Sequence, residues 1–131
     1  MFIVAVVLAA FVSAEMVSSE RLEPQPSPTD ALLGTWDVDL RPTPDAEPYV
    51  MTMTIERNEQ GKLAGTFYNG VEMSNVVANT SWAHPWIAFT TEDQSGVYHT
   101  SFRLNDEGTL EGTTHAVGRD FLAVWTAKPA E

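Results

Sequence analysis

Three histidines, His84, His99 and His115, are the side chains best suited to hold a metal or move a proton near neutral pH. Three imidazoles can bind zinc and leave a fourth position open for water. None of the usual local ligand spacings occurs, however, and the three fall near different stretches of chain. A Ser-His-Asp set can be drawn from Ser101, His99 and Asp120, but no Gly-x-Ser-x-Gly turn marks a nucleophile. The acid pairs Glu92-Asp93 and Asp106-Glu107 fall where turns are expected and read as solvated, not as a glycosidase pair held across a cleft. Cysteine is absent, which removes disulfides, thiolate nucleophiles and Cys-bound zinc. No catalytic residue, metal or cofactor is expected, and a hydrolase or isomerase ranks last among the functions considered.

The aromatic side chains carry more information. Trp36, Tyr68, Trp82, Trp86, Tyr98 and Trp125 are many large rings for a chain of 131 residues. Rings line small-molecule pockets because they offer area at little entropic cost; they also simply fill cores. Trp36, Tyr68, Trp86, His115 and Arg119 are the expected ligand-binding residues. The segment Trp82-Ala83-His84-Pro85-Trp86 places a His between two Trp, and its Pro breaks a strand, so a bend at a barrel rim is expected. In Thr114-His115-Ala116-Val117-Gly118-Arg119-Asp120, Gly118 is expected to give the final turn its backbone freedom, which puts Arg119 and Asp120 at a rim.

These side chains need a scaffold of strands. From Leu32 onward no segment holds a helical period between caps; short alternating runs and turns follow one another instead. Candidate strands are Leu33–Arg41, Tyr49–Arg57, Lys62–Tyr68, Val71–Val77, Trp86–Thr91, Val97–Leu104, Thr109–Ala116 and Phe121–Ala127. Met51, Met53 and Ile55 alternate with Thr52, Thr54 and Glu56, as in a sheet with one dry and one wet face. Asn58-Glu59-Gln60-Gly61 and Asn105-Asp106-Glu107-Gly108 end in Gly, and Asn69-Gly70 is a two-residue hairpin signal. The pattern predicts an all-β, antiparallel up-and-down meander of about eight strands. Closure into a small barrel would remove its exposed edges. Leu63-Ala64-Gly65-Thr66 and Leu110-Glu111-Gly112-Thr113 repeat a small motif. The strand-interior Gly is expected either to let the chain bend or to leave room for an aromatic ring.

Phe2–Val12 is an apolar run too short to span a bilayer comfortably, and Val12-Ser13-Ala14 follows it with small residues. Residues 1–14 therefore read as a secretory signal peptide, 15–31 as a Ser-, Pro- and Glu-rich tether, and 32–131 as the barrel domain. The exported product would be periplasmic or secreted, with no stable membrane insertion after cleavage. A net charge of −11 disfavours nucleic acid and anionic lipid.

Gly34-Thr35-Trp36, on the first strand after a tether, resembles the Gly-x-Trp opening of calycin barrels, the lipocalins and avidins among them. The resemblance implies a Trp that closes one barrel end under a late-strand cation, here Arg119 or Lys128. It lacks the Thr-Asp-Tyr segment and C-terminal helix of lipocalins. Segments 36–42 and 114–122 also look like exported bacterial proteins of unassigned function. Two functions follow: a barrel that binds a small apolar or amphipathic molecule, or a solid barrel that serves structure or protein contact.

Overall fold

The computed structural model describes residues 27–130; the segment read as a signal peptide and most of the tether lie outside them. Nine strands follow a short 3-10 turn at Asp30–Leu32, which takes in the last two residues of the expected tether. The strands are β1 (Gly34–Asp39), β2 (Val50–Arg57), β3 (Leu63–Phe67), β4 (Val71–Glu72), β5 (Ser74–Asn79), β6 (Trp86–Asp93), β7 (Gly96–Leu104), β8 (Leu110–Ala116) and β9 (Phe121–Pro129). All pairings are antiparallel, in the order β4-β3-β2-β1-β9-β8-β7-β6-β5. The chain is thus an all-β antiparallel meander that forms a nearly closed barrel.

Closure uses both ends of the sequence. The first and last strands pair from Trp36 opposite Pro129 to Asp39 opposite Thr126. The strand expected over Val71–Val77 is two strands in the structure. Its first half pairs with β3 and its second half with β6. Asn75 takes a positive φ of 55°, and the register with β6 shifts between Ser74 and Val77. The segment hands over from one sheet edge to the other, so the remaining seam is bridged by chain continuity instead of a ladder. Met73 at the joint turns inward and donates its N–H to the Gly65 carbonyl at 2.9 Å.

The interior is built in layers. Phe67, Phe89, Phe102 and Trp125, from β3, β6, β7 and β9, touch in a closed cycle with centroid separations of 5.5, 6.3, 5.8 and 5.7 Å. Four rings meeting from several sides fill the waist of the barrel. Trp125 is 1% exposed, and its Nε1 donates to the Thr114 hydroxyl at 3.0 Å. Gly112 lies directly opposite Trp125, and a Cβ there would stand 2.4 Å from the indole. Gly65 answers to the other expectation: its φ is +152° and a Cβ would meet the Thr54 carbonyl oxygen at 1.9 Å. Two glycines in one repeated motif therefore serve different needs, ring space in β8 and a tight backbone approach in β3.

One pole of the barrel is plugged. Trp36 is buried there, and its Nε1 donates to the Leu32 carbonyl at 2.9 Å. Leu32 is itself fully buried, and Arg57 ties the plug down through Thr29 and Asp30 at 2.8 and 2.7 Å. Asp30 is held below the usual carboxylate range chiefly by the Arg57 hydrogen bond. Arg119 belongs to the turn before β9, whereas Trp36 pairs near the end of that strand. Nine residues of strand span roughly 25–30 Å. Arg119 therefore does not cover Trp36, and among the described residues no cation stacks on that indole.

Candidate functional site

Beyond the aromatic waist, at the pole opposite Trp36, the interior is hollow. A cavity of about 570 Å³ opens there between the turns. Its size falls within the usual range for small-molecule sites. Phe67 and Thr114 lie at its floor, and the small side chains of Ala123 and Thr91 leave the space above them empty. Larger residues at these inward positions would have filled it, as Met53, Ile55, Ile87 and Leu110 fill the other half.

The mouth is hydroxylated. The chain has three tyrosines, and all three, Tyr49, Tyr68 and Tyr98, line this cavity. Tyr49 and Tyr68 share a hydrogen bond of 3.0 Å on one side. That bond is the first cause of the upward push on the Tyr68 phenol, which stays neutral at physiological pH. Tyr68 itself adopts a left-handed φ of 52°. Phe67 pairs with Val71, so the turn holds Tyr68, Asn69 and Gly70, three residues where the Asn-Gly signal suggested two. Asn69 pins it by accepting the Thr52 N–H at 2.7 Å. A strained, non-glycine conformation held in this way aims the phenol at the opening.

On the far side lies a directed chain of hydrogen bonds. Arginine can only donate, and an ionised carboxylate can only accept. Arg119 donates to the Tyr98 hydroxyl. Ser95 donates its hydroxyl proton to Asp93 at 2.6 Å, so Tyr98 must donate to Ser95. The Ser95 hydroxyl is also the main reason the Asp93 carboxyl sits below its usual range, helped by the Ser95 N–H and the Arg119 charge. This relay joins the β6–β7 turn to the β8–β9 turn across the mouth.

Charge is unevenly settled along the rim. Arg41 is spent on Asp39, which also accepts the Arg41 and Tyr49 N–H groups at 3.0 and 3.2 Å. These bonds, led by the Arg41 side chain, lower the Asp39 carboxyl from 3.8 to about 2. Arg119 instead stacks on Tyr98 and Phe121, with its guanidinium carbon 5.5 and 5.2 Å from the ring centroids. Among the described residues no carboxylate reaches it within 4.0 Å. The mouth thus carries a cation that is oriented but not neutralised. The turn that presents it closes with a hydrogen bond from Phe121 N–H to the Arg119 carbonyl at 2.8 Å, and Gly118 needs no positive φ there.

Of the five ligand-binding residues expected from sequence, Tyr68 and Arg119 meet at the mouth. Trp36 lies at the plugged pole. Trp86 is on the outer face of β6 with Arg103 stacked over it at 5.3 Å. His115 is on the outer face of β8 opposite His99, their rings 6.4 Å apart. His84 is elsewhere, paired with Asp106 at 2.5 Å, and among the described residues no group of three metal-type ligands forms. His99 and Ser101 are exposed on alternate positions of one strand, and no hydrogen bond links them to Asp120. The sequence reading missed Tyr49, Asp93, Ser95 and Phe121. Their signal was position: each lies at a strand end that the meander brings to the same pole. No family model, curated protein or solved structure matches the chain.

Proposed function

We propose that the chain is an exported barrel that carries a small amphipathic molecule in its mouth cavity, apolar part on the floor and polar or acidic end at Arg119. The supporting observation is the asymmetric interior: buried side chains such as Trp36, Val38, Met53 and Ile55 occupy it from the plugged pole to the aromatic waist, and a cavity of about 570 Å³ opens beyond it. A barrel meant only for structure has no need of small residues on one side of that waist. The resemblance of Gly34-Thr35-Trp36 to calycin barrels agrees in general shape, although a 3-10 turn covers the Trp here in place of a cation. Export rests on the sequence of residues 1–14, and the intact mass of the exported protein is expected to start at Glu15.

Binding is tested with decanoate and decanol against the purified chain, read by the change in tryptophan fluorescence, with Trp125 beneath the floor the indole nearest the ligand. Saturable binding with Kd on the order of micromolar is expected for both, tighter for the carboxylate. Arg119→Gln should weaken decanoate about tenfold, equivalent to about 1.4 kcal/mol, and leave decanol unchanged. Absence of saturable binding by either probe would overturn the carrier reading. Equal loss for both probes would show that Arg119 supports the mouth and does not read the head group.

A further inference from the structure

The four tryptophans divide into two kinds. Trp36 and Trp125 are buried, while Trp82 and Trp86 are 70% and 44% exposed. The exposed pair lines one surface groove of about 650 Å³ with Asn79, His84 and Arg103, at the plugged pole and away from the mouth. Other apolar side chains, Val77, Leu122 and Val124 among them, are also exposed, but only Trp82 and Trp86 set two accessible indoles in one groove, and contiguous apolar patches of that kind mark binding sites.

The groove is built. The guanidinium of Arg103 lies over Trp86 and pairs with Glu111 at 3.3 Å. His84 pairs with Asp106, which ties the β5–β6 loop to the β7–β8 turn. Arg103 and His84 each already pair with a carboxylate, so neither is a free cation to select a charged ligand. A cationic ligand would meet Arg103 and an anionic one Asp106, which is 92% exposed. Hydrogen-bonding capacity remains around the indoles: the Asn79 amide, further Arg103 N–H groups and the Asp106 carboxylate. The complement of flat apolar faces edged by compensated polar groups is a neutral molecule with C–H faces and a ring of hydroxyls.

From this match we infer that the groove binds a neutral hexopyranose oligosaccharide, one sugar ring stacked on Trp82, the next against the part of Trp86 that Arg103 leaves open, and hydroxyls bonded to Asn79, Arg103 and Asp106. The inference stands apart from the mouth cavity and its ligand. Isothermal titration of the whole chain with cellohexaose, chitohexaose and maltohexaose tests it. At least one should bind with Kd on the order of 10⁻⁴ M. Trp82→Ala should weaken that binding tenfold or more with the melting temperature unchanged, since the ring is mostly in solvent. Arg103→Lys keeps the charge but loses the planar stack and fork, and should weaken it severalfold. No heat from any of the three sugars at millimolar concentration overturns the inference, as does binding unchanged in Trp82→Ala. Self-association seen by sedimentation and abolished by Trp82→Ala would assign the groove to a second copy and overturn it equally.

Discussion

Gly65→Ala is expected to cost at least about 3 kcal/mol and to lower the melting temperature by about 15 °C or more. The added Cβ would meet the Thr54 carbonyl oxygen at 1.9 Å, and the φ of +152° is one that side chains rarely adopt. The obstacle is backbone on the paired strand, so relief requires β2 and β3 to part where Ile55 faces Gly65. The Gly65 carbonyl also receives the Met73 N–H beside the seam, so the damage falls where the barrel has no ladder to spare. Gly112→Ala differs in kind. Its Cβ meets the Trp125 ring, with no unusual φ, and should cost about 2–3 kcal/mol. Shrinking the ring as well, in Gly112→Ala/Trp125→Leu, should make the double change milder than the sum of the singles by at least about 1 kcal/mol. No side-chain partner can rescue Gly65→Ala. Thermal melts followed by circular dichroism measure all four variants. A Gly65→Ala protein that melts within a few degrees of the parent would show that β2 and β3 yield at that point.

Filling the cavity should move binding and stability in opposite directions. Ala123 faces inward from β9, opposite Thr114, and borders the hollow half. Ala123→Phe puts a ring into that space and leaves in place Thr114, which accepts from Trp125 Nε1 and shares a hydrogen bond with Thr100. Decanoate and decanol affinity should fall a hundredfold or more, because the apolar part loses its floor. Stability should hold or rise by up to about 1 kcal/mol as empty volume is replaced by contact. A decrease in both would mean that the cavity is too tight for the ring. Unchanged affinity would place the bound molecule elsewhere and remove the central support of the carrier reading.

Most of the barrel was legible as alternation and turn chemistry. The run through Met53 and Ile55 announced a dry face, and Gly61 and Gly108 close their turns at positive φ. The same parity bears on the site. Ile87 and Phe89 share the buried face of β6, so Trp86 had to fall on the outer one; Thr114 and Ala116 likewise turn His115 outward. Reading Trp86 by its size, and His115 by its nearness to the last turn, drew both into the expected site against that parity. The break between β4 and β5 was not legible, because changing partner in mid-strand is set by closing the sheet and not by the local residues. Nor was the hollow end: emptiness depends on which small residues, Thr91, Thr114 and Ala123, the strand pairing brings to one end of the barrel. The pairing of Tyr98 with Arg119 likewise depends on two turns meeting at one pole.

The pairing of Trp36–Asp39 with Thr126–Pro129 makes the order of synthesis matter. Strand β1 has one of its two neighbours in β9, made much later. At ribosomal speeds the residues between them take on the order of ten seconds to make. Throughout that time one edge of β1 waits for residues that do not yet exist. Contacts between sequence-distant strands form slowly even once available. A ribosome-bound chain of this design stays open until residues 126–129 emerge, and an open chain is the form that can be threaded through a narrow channel before it closes.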